Sequence, residues 1–188
     1  MKIGIYVGSF NPPHKGHIKI VNHLLNNYLD KIIIIATGNY WDKNNLINIE
    51  DRINMLKLYE NENIIIDKKN NNIEYTYQIL NILSNEYKED ELYLVIGADN
   101  IINFDKWKNY EEILKYNLII LNRSNIDVIK YLNYLDKKDK YIIVNDLPNI
   151  DISSTIIRSK IKNKQGDLIK YIDNDVYEYI KLKKLYER

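Results

Sequence analysis

His14 and His17 stand three residues apart, with Gly16 between them, in the run Gly8-Ser9-Phe10-Asn11-Pro12-Pro13-His14-Lys15-Gly16-His17. Near a helix start this spacing lets both imidazoles point to one side. Ring N–H groups beside the backbone N–H groups of a helix N-terminus suit a phosphate. Two surface histidines in a Pro-rich turn are the plain alternative, and the apolar strand directly before the pair weighs against it. A metal site is a weaker rival, because the loop offers no third ligand. A second group lies near the other end, at Ile152-Ser153-Ser154-Thr155-Ile156-Ile157-Arg158. Ser153 or Ser154 is placed to cap a helix. Arg158 follows Ser154 by one turn and could reach the anion that the capped N–H groups hold. A capped helix with a surface Arg is the alternative. In a third segment, Gly97-Ala98-Asp99-Asn100 leads to Trp107. Asp99 could accept from ribose hydroxyls or simply end a turn. Trp107 could face a heteroaromatic ring or pack in the core. Neither a Walker loop nor a dinucleotide fingerprint is present.

The pattern of apolar residues shows what must hold these groups. Short apolar runs predict strands over 3–7, 31–36, 64–66, 92–96, 118–121 and 141–144. Helical spacing predicts helices over 17–28, 49–59, 73–87, 107–114, 126–135, 154–162 and 168–185. The alternation and the continuous apolar strands predict an α/β fold, a doubly wound parallel sheet covered on both faces. Ligands of such sheets bind beyond the carboxyl ends of the strands. Gly8, Gly16, Gly38, Trp41, Gly97 and Arg158 all fall just after strands.

Composition narrows the function. The 188 residues carry 27 Lys plus Arg and 26 Asp plus Glu, a net charge of +1. That balance lacks the basic excess of a nucleic-acid binder. No cysteine is present, so thiolate chemistry and disulfides are excluded. No run is long enough for a membrane span or a signal peptide, so a cytoplasmic protein is expected. Ile, Asn, Lys and Tyr make up 102 residues, a bias toward A/T-rich codons. Against that bias the four Arg, six Gly and two Trp stand out.

The first loop resembles the H-x-G-H signature of the nucleotidyltransferase superfamily, and 152–158 resembles its I-S-S-T-x-x-R motif. With Gly97-Ala98-Asp99, Trp107, the run Glu74-Tyr75-Thr76-Tyr77-Gln78-Ile79-Leu80 and the ending from Val176 to Tyr186, nearly the whole chain resembles the bacterial nicotinate-nucleotide adenylyltransferases. The resemblance implies one Rossmann-like nucleotidyltransferase domain over 1–188, with C-terminal helices. It implies that ATP binds with Mg²⁺ and that a pyridine mononucleotide, nicotinate or nicotinamide, attacks its α-phosphorus in the synthesis of NAD. No metal ligand of the protein's own is implied, and no covalent intermediate.

His14, His17 and Arg158 would carry the catalysis. Gly8, Ser9, Phe10 and Gly16 would join the histidines around ATP, as would Gly97, Asp99, Ile152, Ser153, Ser154, Thr155 and Arg158. Asn39, Lys43, Arg52, Thr76, Trp107 and Arg123 would hold the mononucleotide. For Arg52 a structural role and a phosphate-facing role are equally expected.

Three departures matter. Asn11 replaces the Asp of many relatives. Thr37-Gly38-Asn39-Tyr40-Trp41-Asp42-Lys43 replaces a P-P-H-K-like run, which puts the choice between the two pyridines in doubt. A Pro often found before the final Val is missing from 169–174. Small-molecule substrates are the expected partners, without nucleic acid or membrane, and self-association is left open. Another small nucleotidyltransferase, acting on phosphopantetheine or transferring a cytidylyl group, is the competing enzyme. A non-catalytic nucleotide binder on the same fold is the competing non-enzyme.

Overall fold

The computed structural model describes residues 1–38, 46–123, 126–148 and 151–187. Six strands form one parallel sheet among them: β1 (Lys2–Gly8), β2 (Lys31–Ala36), β3 (Ile64–Asp67), β4 (Glu91–Gly97), β5 (Asn117–Leu121) and β6 (Tyr141–Val144). Their order is β3-β2-β1-β4-β5-β6. The chain therefore winds outward in both directions from β1 and β4, and the crevice between them is the switch point where such sheets bind ligands.

The strands alternate strictly between two cores. Ile3, Ile5, Ile33 and Ile35 point into one, with Ile79, Leu80 and Leu83 of α3 (Thr76–Glu86). Tyr6, Ile32, Ile34 and Ala36 point into the other, with Ile20, Val21 and Leu24 of α1 (Lys15–Asn27). Each fully buried Ile contributes about 1.5–3 kcal/mol relative to an exposed one. Helix α2 (Ile49–Lys57) is wedged between layers. Its Ile53 and Leu56 face the sheet. Its Met55 meets Ile157, Ile172, Val176 and Ile180 in a C-terminal core. That third core joins α7 (Ser154–Lys162) and α8 (Asn174–Lys183) to the back of α2.

Between β4 and β6 the chain forms only short helices: α4 (Ala98–Ile101), α5 (Tyr110–Ile113) and α6 (Val128–Tyr134). The turn α4 was not expected, and the helix expected over 107–114 shrinks to α5. The helix expected over 168–185 is broken. A 3₁₀ turn at Leu168–Lys170 precedes α8, with Asp173 extended between them. The cause is competition for partners. The Tyr171 carbonyl accepts from the Lys15 N–H at 2.9 Å, and the Asp173 carboxylate accepts from the Tyr59 hydroxyl at 2.7 Å. The first takes a helix carbonyl to α1, and the second ties the segment to Tyr59, just beyond α2.

Lys137 closes the far side of the sheet. It is buried, and its ammonium donates to the carbonyls of Leu114 and Tyr116 at 2.6 and 2.9 Å. Burial lowers its pKa. Lys137→Met should lower stability by about 1.5–3 kcal/mol, since charge-assisted bonds are lost and two carbonyls are stranded. Urea unfolding checks this, and a midpoint equal to that of the parent protein would contradict the capping role.

Candidate active site

Gly8 ends β1, and the loop after it folds back on the strand. Phe10 adopts φ of 45°, in the left-handed region. That conformation costs a side-chain-bearing residue about 1–2 kcal/mol and persists only where neighbours enforce it. Here they do. The Phe10 ring is buried, edge-on to Tyr6 at 5.4 Å and to His17 at 4.9 Å. A Cβ on Gly8 would stand 3.1 Å from that ring. What glycine provides here is close approach to the ring, since Gly8 itself does not adopt a positive φ.

The two imidazoles stack, with centroids 3.6 Å apart and planes 23° from parallel. His14 is the N-cap of α1, and its backbone N–H donates to His17 Nδ1 at 3.2 Å. An Nδ1 that accepts has no proton, so neutral His17 carries its proton on Nε2. His14 Nδ1 is buried, without a hydrogen-bond partner among the described residues. Burial pushes the His14 pKa down to about 4, with the Arg123 charge adding to the effect. His17 is held well below its ordinary value by burial, then by His14 and Arg123. Without ligand, then, the pair is neutral at pH 7. An incoming polyanion would remove the penalty on charging these rings.

The carbonyls of the same loop are turned to other partners. Arg52 donates to Ser9 O at 2.7 Å, Arg158 to Asn11 O at 2.8 Å, and Ser154 Oγ to Pro12 O at 2.9 Å. Arg52 is fully buried and also donates to Ile47 O at 3.3 Å. This corrects its placement with the mononucleotide, because an inaccessible guanidinium holds the loop from below. Ser153 is the cap of α7, its Oγ accepting from Ile156 N at 3.3 Å. Thr155 Oγ1 accepts from the second Arg158 nitrogen at 3.3 Å. Ile152 packs against the C-terminal core. The structure thus brings the two distant motifs together: α7 starts directly on the His14 loop.

A cleft of about 820 Å³ opens at the carboxyl ends of β1 and β4, lined by Gly8, Thr76, Gly97, Asp99, Trp107 and Arg123 among others. His14 and His17 lie outside its lining. A Cβ on Gly97 would collide with Asp99 Oδ1, so the carboxylate rests against that backbone. Trp107 lies between core and cleft. It stacks on buried Phe104 at 5.0 Å and also faces the cleft. Thr76 begins α3 at the rim. Arg123 lines the same cleft as Tyr6, whose phenol pKa its charge lowers against the larger effect of burial. Asn39 and Lys43 lie outside the described residues, as does Trp41. Sequence reasoning missed Tyr6, whose apolar strand setting hides a hydroxyl turned to the site. It also missed the cations Lys106 and Lys108 on the cleft wall, which carry no signal in a Lys-rich chain.

The depressed histidine gives a pH dependence. An unfolded chain binds a proton on His14 near pH 6.5, whereas the folded chain does so only near pH 4. The stability that neutral burial contributes is full above pH 6.5 and is lost as the pH falls toward 4. Without nucleotide, Tm should drop between pH 7 and 4.5 by about 5–10 °C more than in His14→Asn. Calorimetry of the two proteins measures the difference, and equal drops would contradict buried neutrality of His14.

A cytidylyltransferase-like family model matches residues 5–160. The chain is 39% identical over 175 residues to the "Probable nicotinate-nucleotide adenylyltransferase" of Fusobacterium nucleatum, covering 88% of this chain and 90% of that protein. It is 38% identical over 198 residues to the protein of the same name in Borrelia turicatae, covering 99% and 98%. Plasmodium falciparum nicotinic acid mononucleotide adenylyltransferase, solved in complex with NaAD, shares the fold. Its TM-score is 0.79 at 24% identity, covering 99% of this chain and 97% of that one. Over nearly its full length, the chain belongs to the cytidylyltransferase-like family and, within it, to the nicotinate-nucleotide adenylyltransferases.

Proposed function

We propose that this chain transfers the adenylyl group of ATP to nicotinate mononucleotide, giving the dinucleotide and pyrophosphate in NAD synthesis. The observation that carries the reading is the meeting of the two motifs, α7 starting on the loop that holds the stacked imidazoles. Gly8, at the start of that loop, lines a cleft whose wall includes Trp107. The names of relatives 38% and 39% identical to the chain support the choice of acceptor. Lys106 and Lys108 beside Trp107 suit an acceptor that carries both a phosphate and a carboxylate.

In this reading a mononucleotide phosphate oxygen attacks the α-phosphorus of ATP. The new P–O bond forms as the bond to the bridging oxygen breaks, and pyrophosphate leaves with that electron pair. His17 Nε2–H and His14 donate to phosphate oxygens as negative charge shifts onto them. The first turn of α7 holds the phosphate tail, with Arg158 fixing that turn against the loop. Asp99 takes ribose hydroxyls, Thr76 and Trp107 hold the pyridine end, and Arg123 attracts the phosphates between. Alignment and charge stabilisation suffice for such transfers without a covalent intermediate.

Magnesium enters as the counterion of ATP, and so as part of the substrate. The described residues bring no three carboxylate, imidazole or thiol groups together to hold a cation, so the fit to the ion is through the phosphates it accompanies. Among the described residues no helix is long and apolar enough to cross a membrane. The reading places the chain in the cytoplasm, with its nucleotide substrates.

The deciding assay is pyrophosphate release from Mg-ATP with nicotinate mononucleotide, with nicotinamide mononucleotide and phosphopantetheine run in parallel. Turnover should be greatest with nicotinate mononucleotide, and turnover with phosphopantetheine alone would overturn the reading. In the same assay His17→Ala should lower kcat by about 10²–10³-fold, the usual loss for an oxyanion donor. An unchanged kcat would remove His17 from the reaction. Trp107→Ala should raise the KM for the mononucleotide by roughly tenfold, in keeping with loss of an aromatic contact. It should also lower Tm, because Phe104 loses its stacking partner. A fall in Tm with KM unmoved would assign Trp107 to the core alone.

A further inference from the structure

Asn11 occupies the most constrained point of the loop, between left-handed Phe10 and the Pro12-Pro13-His14 run. Both of its oxygens are held from outside the loop. The backbone oxygen accepts from Arg158. The side-chain oxygen accepts from the Tyr186 hydroxyl at 2.9 Å and from Ile47 N at 3.4 Å. Asn11 itself is buried. Tyr186 arrives from the last turns of the chain, 175 residues away. After α8, Lys184 takes φ of 51° and Tyr186 φ of 66°, and the Leu185 N–H bonds back to Ile180 O at 3.0 Å. This reversal turns the phenol toward Asn11, beside Arg52 and Arg158, whose charges bear on it.

We propose that Tyr186 is a positioning residue for the transfer, its hydroxyl acting through Asn11 to hold the loop that aligns His14 and His17. The route is short. Asn11 adjoins Phe10, whose ring packs on His17, and His17 stacks on His14. Releasing the Asn11 side chain loosens the restraint that keeps Phe10 in its left-handed conformation. The imidazoles lose register with it, and a misplacement of that size is expensive in a reaction that depends on alignment. Burial raises the phenol pKa further above its ordinary value than the two nearby arginines lower it, so Tyr186 stays a donor throughout the working pH range. Asn11 also acquires a purpose independent of charge: its amide oxygen is the acceptor that the C-terminal phenol seeks.

The kinetic part of this inference rests on the adenylyl-transfer reading. Tyr186→Phe keeps the ring and removes only the hydroxyl. It should lower kcat for pyrophosphate release by about tenfold, leave the KM for ATP within about twofold and shift Tm by no more than about 3 °C. The double variant with Asn11→Ala should be no slower than Asn11→Ala alone, because the hydroxyl acts through that side chain. An unchanged kcat in Tyr186→Phe, or losses that multiply in the double variant, would overturn the inference. An activity-free measurement keeps it separate from the reading above. In ¹⁵N imidazole spectra, His17 should be in the Nε2–H tautomer in the parent protein and mixed in Tyr186→Phe. If the parent protein shows no turnover with nicotinate mononucleotide, the adenylyl-transfer reading fails and these spectra decide: mixed tautomers sustain the positioning role, and identical spectra overturn it.

Discussion

The oxygens of the loop between Gly8 and His14 are bound from behind. Three of its carbonyls, those of Ser9, Asn11 and Pro12, accept from Arg52, Arg158 and Ser154. A loop that approaches phosphates must show them donors, and an unsatisfied carbonyl on the same side would repel the anion. Binding the oxygens elsewhere solves this before any ligand arrives. It also restrains Phe10 in an unfavourable conformation, and so sets the two rings at stacking distance. The low pKa of the histidines follows from the same packing. In the proposed reaction, these buried, neutral rings are the pre-organised receptor for negative charge.

The fold is arranged to bring these donors to one place. The sheet order β3-β2-β1-β4-β5-β6 centres the switch point on β1 and so on the loop that follows it. Arg52 comes from α2, on one side of that loop. Ser154 and Arg158 come from α7, at the far end of the chain. The C-terminal core, with Met55 of α2 against Ile157 of α7, fixes the two sources of donors relative to each other. The last helices thus complete the site without lining its cleft. Lys15 adds a tie at the start of α1, its N–H and ammonium donating to Tyr171 O and Ile169 O.

Much of this could be read in the residues. The expected bounds of β2, β6 and α7 agree with the structure, because apolar runs and a Ser cap are local signals. The pairing of the 8–17 and 152–158 motifs was legible because scarce residue types cluster there. What stayed hidden was tertiary. No local signal tells Arg52 from a phosphate-facing arginine; the distinction lies in which carbonyls surround it. No local signal shows that Gly8 serves the approach of an aromatic ring. The break in the helix over 168–185 has no Pro or Gly to announce it, since its partners are Lys15 of α1 and Tyr59, just beyond α2. Trp107 could not be assigned to core or cleft because it belongs to both.

In the proposed reaction the loop holds two neutral imidazoles ready to receive a polyphosphate. A direct test is to titrate His14 by ¹⁵N-edited NMR, first in the free protein and then with saturating Mg-ATP. In the free protein the ring should titrate near pH 4. With nucleotide bound, the phosphates should raise that value toward the ordinary histidine range of about 6.5. A histidine that titrates near 6.5 in the free protein, or one that ATP leaves unmoved, would contradict the account.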